Sequence, residues 1–299
     1  MIQILIQGLL LSGLYALLAM GFTLIFSIGR VLNLAYGSYL LIGGYMYFQF
    51  SQVMGLPKLA GVALAALMGV VMGIAKFRLI VKPLKGEHVP VEISLLILAV
   101  VLQAAVVLVF GDSSKILLPI IPGVKWLAGT AIPYSNLFAA VASWLILIGL
   151  YVFVRTTHTG RAMQAVSMDP KGAAISGIDS DRINMITWAI SGALGAVAGV
   201  FFASYTQLYP GMWVGPLIIA VAVVIVPLLA GRGDVDGGRA RRRPWVAVAF
   251  PDERAQGRTR VAVQVGRDRR ADLERRVEAL AVGREGQHER PAAGRSSPE

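Results

Sequence analysis

Residues 183–231 form a run of 49 residues without one charged side chain. As continuous helix that run would extend about 73 Å at 1.5 Å per residue, more than twice the roughly 30 Å hydrocarbon core of a bilayer. It has to fold back on itself. The break falls at Gln207-Leu208-Tyr209-Pro210-Gly211-Met212-Trp213, where Pro-Gly supplies a turn and Tyr209 and Trp213 suit an interfacial aromatic belt.

Other uncharged runs cover 1–29, 31–57, 59–75, 93–111 and 126–154. Together they predict spans near 3–28, 34–50, 59–80, 92–110, 136–154, 185–206 and 214–230. The first lacks a basic leader and is too long for a signal-peptide core, so it reads as a retained span. Only 15% of residues are charged and the mean hydropathy is +0.66, against the roughly 25% charged of soluble domains. The expected fold class is all-α, a polytopic transmembrane helical bundle with about seven spans in 1–230.

Lys and Arg in short loops set orientation. Lys76, Arg78, Lys82 and Lys85 mark the connection 76–90 as cytoplasmic, and Arg155, Arg161, Lys171 and Arg182 do the same for 155–184. Loop 111–135, with Lys115, Lys125 and Asp112, and the uncharged loop 207–215 fall outside. The N-terminus is then outside too.

Small residues recur every fourth position in two spans: Gly61, Ala65, Gly69, Gly73, and Ser191, Gly195, Gly199, Ala203. Each stripe forms a shallow groove that lets helix backbones approach closely, and helix packing is preferred here to a substrate-lining role. No ionisable residue is expected deep in a span; Glu92 stands at a helix start, and the interior polar set is Gln7, Thr23, Asn33, Ser94, Gln103, Thr187 and Ser191. Ion-coupled carriers place carboxylates or histidines along the pathway, so this pattern weighs against ion-driven transport. The chain has no cysteine, three scattered histidines, and no phosphate loop, H-E-x-x-H or Ser/His/acid set in one layer. No enzyme activity, metal site or cofactor of its own is expected. If ATP drives transport, the ATPase is another polypeptide.

Segment 155–184 reads as two short helices at the membrane face. Asp169 is placed as an N-cap, Pro170 at the first helical position and Gly177 as a left-handed C-terminal residue, which predicts a helix over 170–176.

Here the chain resembles the inner-membrane permeases of branched-chain amino acid ABC importers (LivH type), whose cytoplasmic loop follows G-R-A-x-x-A-x-x-x-D-x-x-x-A-x-x-x-G-I-D. Gly160, Arg161, Ala162, Ala165, Asp169, Ala173, Gly177, Ile178 and Asp179 fall in place. Asn33, Ala35 and Gly37 match the family's run Asn-Phe-Ala-His-Gly-Glu, with Tyr36 in place of His and Ser38 in place of the acid. Gly192, Gly195 and Gly199 sit where the family has an Ala/Gly-rich helix. The resemblance covers about residues 5–235.

It implies a multi-pass bacterial inner-membrane permease subunit whose partners are an extracytoplasmic substrate-binding protein, a second permease (copy or paralogue) and two cytoplasmic ATPases. The substrate would be a branched-chain amino acid. Loop 160–178, with Gly160, Arg161, Ala165, Asp169, Pro170, Gly177 and Ile178, would dock on the ATPase and pass its closure to the spans. Two readings of Asn33 stay open: a helix-end cap, or a break near the pathway where unwound backbone and an amide meet a zwitterion, with Tyr36 and Gly37 beside it. The rivals are an importer of urea, amides or another small polar solute, a secondary carrier or passive channel needing no ATPase, and a non-functional truncated permease.

From Gly231 the composition changes: residues 231–299 hold 16 Arg, 9 Gly, 10 Ala and 4 Pro, and no Lys, Ile, Asn, Met or Tyr. Residues with GC-rich codons have replaced the others, the mark of a shifted reading frame in GC-rich DNA. A disordered tail is expected, since Leu273, Val277 and Leu280 make too small an apolar stripe to order it. Eleven acids dilute its basic charge, which disfavours a nucleic-acid arm.

Overall fold

The structure is a computed structural model that describes residues 2–84, 88–127 and 130–230. All of them lie in the compact unit Met1–Val246; the second unit, Ala247–Glu299, holds none. The expectations for residues 231–299 therefore fall outside the described residues.

Nine α-helices are described: α1 (Ile2–Gly29), α2 (Tyr36–Tyr47), α3 (Lys58–Lys76), α4 (His88–Phe110), α5 (Tyr134–Thr156), α6 (His158–Met168), α7 (Pro170–Ile175), α8 (Ser180–Tyr205) and α9 (Val214–Ala230). Two helices continue as π-helical turns, α2 through Phe48–Val53 and α3 through Phe77–Val81, with Met54 N–H donating to Gln49 and Lys82 N–H to Phe77.

Five helices, within Ile6–Gly29, Lys58–Val81, Val89–Phe110, Tyr134–Thr156 and Ser180–Tyr205, are long and apolar enough to cross a membrane. The other two expected spans are α2 and α9. The α2 sequence is the more polar because it is enclosed by protein: Tyr36, Tyr39, Leu40, Leu41, Tyr45 and Tyr47 are fully buried. By contrast α4 turns Ile93, Ile97, Val101, Leu108 and Val109 outward, a face suited to lipid.

One departure from an all-helical chain is a small antiparallel hairpin, β1 (Val124–Leu127) with β2 (Thr130–Pro133). It lies in the connection between α4 and α5, where no hydrocarbon forces the backbone to satisfy itself within a helix.

The loops sort to two ends as the charge pattern predicts. At one end the Arg30 guanidinium reaches the Ser167 carbonyl (3.5 Å), Leu32 N–H donates to Glu92 Oε1 (3.2 Å), and Ile28, Met163, Val166, Ala173 and Ile183 form a second small core. At the other end Lys115 and Leu208 exchange backbone hydrogen bonds, and the Lys58 ammonium donates to the Pro119 carbonyl.

Candidate functional site

The chain does not turn on the surface between α1 and α2. Arg30, at φ 53°, opens a non-helical stretch over 30–35 that carries the backbone inward. Gly29 borders Asn184 and Trp188, whereas the Tyr36 ring reaches Gly21 and Gly195, so the stretch leads back into the bundle. Unwound backbone at such depth is tolerated only inside protein, and Val31, Asn33 and Ala35 are buried.

From the other end, residues 207–213 also dip inward. Leu208 and Met212 lie against Gly44, and Trp213 packs on Gly37, where a Cβ would strike the Trp213 ring and come within 3.1 Å of its carbonyl. Two irregular segments thus meet at the first turn of α2. Trp213 is consequently not an interfacial residue as its sequence setting suggested: it is buried, and its indole Nε1 donates to Gln103 Oε1 at 2.9 Å. Tyr209 does stay exposed.

Asn33 is no helix cap. The N-cap position of α2 is Ala35, which makes no side-chain cap bond, and the buried Asn33 amide lies against the Tyr39 hydroxyl without a well-formed hydrogen bond. The Tyr36 hydroxyl is likewise buried, beside Ser191, without a well-formed bond. Asn33 therefore lies within the non-helical stretch itself and not at a cap position.

The expectation that no ionisable group lies deep in a span is overturned by Lys76. Helix α3 continues through Val81, which draws Lys76 out of the connection and into the bundle, where it is 3% exposed. Its Nζ donates to the Ala35 carbonyl (2.9 Å) and to Ser38 Oγ (2.6 Å), and stands 3.6 Å from the centre of the Tyr39 ring. Ser38 itself donates back to the Ala35 carbonyl at 2.7 Å. Arg78 and Lys82 remain exposed, as a cytoplasmic connection requires.

In segment 155–184 the punctuation is as predicted, with α7 ending one residue earlier. Asp169 Oδ1 accepts the Lys171 N–H (3.0 Å), Pro170 opens α7, Ile175 closes it and Gly177 takes φ 81°. Thr157 caps α6 by accepting the Gly160 N–H at 3.0 Å, and Asp179 caps α8 by accepting from Asp181 and Arg182. Gly160 is required because any Cβ there would collide with the Val154 carbonyl. Ala165, Pro170 and Ile178 are partly buried, while Arg161, Asp169 and Gly177 face outward. The segment is anchored on α1 and α8 through Ile28, Ala173 and Ile183.

Residues 4–238 match the family described as the branched-chain amino acid transport system permease component. The chain belongs to that family. The BraD permease protein of a high-affinity branched-chain amino acid transport system in Pseudomonas aeruginosa is 29% identical over 252 residues, spanning 79% of this chain and 81% of its own. LivH of Salmonella typhimurium is 27% identical (79% and 80%), and a probable LivH of Methanocaldococcus jannaschii 28% (79% and 76%). No solved structure matches the chain significantly.

In this multi-pass membrane permease the two small-residue stripes are packing surfaces, with partners that spacing alone does not reveal. Gly69 and Gly73 press on the carbonyls of Gly192 and Trp188 in α8, but Gly61 meets Tyr47 and Ser51 at the end of α2. The α8 stripe faces α1 and α2 instead: Ser191 Oγ donates to the Gly21 carbonyl, Gly195 meets Tyr39, and Gly199 presses on the Leu40 carbonyl. Sequence reasoning missed Gly43, packed on the Ala196 backbone, as well as Lys76, Tyr39 and the depth of Trp213. The Gly43-Gly44 pair was the available clue to close approach.

Proposed function

We propose that this chain is one permease of an ATP-driven importer of branched-chain amino acids in the bacterial inner membrane. A second permease, two cytoplasmic ATPases and an extracytoplasmic binding protein complete the assembly. The match to the transport-system permease family over residues 4–238 carries this reading. The geometry supports it at both ends. The capped α6–α7 segment is a rigid element on the bases of α1 and α8, so displacement at 160–178 is handed to the break at 30–35. Asn33, Tyr36 and Gly37 then mark the pathway, where a bundle with few charges suits an aliphatic side chain and weakly bonded polar groups suit a zwitterion's head. ATP is consumed by the partner subunits, and the chain needs no cofactor.

Reconstitution of the five-component assembly in proteoliposomes tests this. Leucine should accumulate only with ATP and binding protein present. Equilibration without ATP would instead establish a carrier or channel, and uptake of urea or amides but not leucine would reassign the substrate.

We further propose that residues 231–299 are translated from a shifted frame, on the strength of their Arg, Gly, Ala and Pro excess. Sequencing the locus should reveal an insertion or deletion near codons 230–236 whose correction restores a hydrophobic continuation. An intact frame shared by many strains would refute it.

A further inference from the structure

We propose that Lys76 is the cation that receives the carboxylate of the transported amino acid, an assignment that rests on the function proposed above. The Lys76 ammonium is buried among neutral groups only: a carbonyl, a hydroxyl and a ring face. Among the described residues no carboxylate forms an ion pair with it. A buried ammonium is costly to desolvate, and neutral acceptors compensate it less fully than an anion does. If the position only had to join α3 to α2, an apolar side chain of the same length would fill the space without that cost. An ionisable group inside a membrane bundle marks a working position.

A second observation points the same way. The Asn33 amide, 1% exposed, lies against the hydroxyl of the same Tyr39 over whose ring Lys76 stands, and neither of its polar atoms makes a well-formed hydrogen bond. The Tyr36 hydroxyl, beside Ser191, is in the same condition. One cation, one donor–acceptor amide and two hydroxyls therefore gather where the irregular segments converge. That set matches the head of a zwitterion, with the carboxylate accepting from Lys76 and the ammonium donating to Asn33 Oδ1 or a tyrosine oxygen. In the closed packing seen here Lys76 is held by Ala35 and Ser38. When the first turn of α2 moves off α3, the ligand carboxylate replaces those two acceptors.

The test is binding of tritiated leucine to the assembled permease–ATPase complex in nanodiscs, competed by unlabelled leucine and by leucinamide, which lacks the carboxylate charge. Leucine should compete at least tenfold better than leucinamide in the wild type. The ratio should fall to near one in Lys76→Met and persist in Lys76→Arg. A wild-type ratio near one, an unchanged ratio in Lys76→Met, or no saturable leucine binding by a complex that takes leucine up would each overturn the assignment. If Lys76→Met does not assemble, the wild-type ratio and its retention in Lys76→Arg decide the matter. Leucine uptake by the wild-type assembly is measured separately: its absence refutes the proposed substrate, whereas uptake with an unchanged ratio refutes Lys76 alone.

Discussion

Replacing Gly69 with Ala should destabilise the permease although alanine is the better helix former. A Cβ at Gly69 would collide with the Gly192 carbonyl and lie 2.7 Å from the Ala196 Cβ, while ordinary contact begins at 3.4 Å. The shortfall is about 0.7 Å at the Ala196 Cβ and larger at the Gly192 carbonyl, so α3 and α8 must move apart at that level. Backbone cannot swing aside as a long side chain can, so the change falls in the overpacking range of about 1–3 kcal/mol. The helix-propensity gain of up to ~1 kcal/mol offsets part of this. A net loss of about 1–2 kcal/mol corresponds to a fall in Tm of roughly 2–8 °C for a chain of this size. Gly149→Ala is the control, because nothing lies within 4 Å of a Cβ there. Thermal unfolding of both variants in the same detergent reads the contrast. A Tm for Gly69→Ala equal to or above that of Gly149→Ala would refute the packing argument.

Two further substitutions probe the other parts of the account. Asp169→Ala removes the cap of α7, a loss of about 1 kcal/mol, and Gly177→Val forces a β-branched residue to φ 81°. Both should leave the permease inserted while lowering the amount of leucine taken up per ATP hydrolysed, and an unchanged ratio in the double variant would contradict a coupling role. Trp213→Phe removes the indole donor from the partly buried Gln103 amide oxygen, a loss of about 0.5–1.5 kcal/mol, and should lower Tm; an unchanged Tm would show that the indole bond contributes nothing.

Much of the architecture is legible in local chemistry. Absence of charge places the long helices, and Asp169, Pro170 and Gly177 each impose a backbone geometry that neighbours need not supply. What escapes is whatever depends on a second segment. The Lys76 charge looks like a loop charge until the Ala35 carbonyl, at the start of α2 and already accepting from Ser38, arrives beside it. Trp213 looks interfacial because Pro210-Gly211 predicts a turn, and no local rule says how deep that turn sits. The Ser191 stripe announces close packing but not its partner, since any helix with a flat face can fill such a groove.

The absence of cysteine allows the central claim, a lipid-embedded bundle with the α6–α7 segment turned to the cytoplasm, to be tested by single-cysteine labelling. Ser176 and Gln207 are both exposed and lie at opposite ends of the bundle. In intact cells a membrane-impermeant maleimide should label Gln207→Cys and spare Ser176→Cys, with the pattern reversed in inside-out vesicles. Labelling of both from the same side, or of Ser176→Cys in intact cells, would contradict the account.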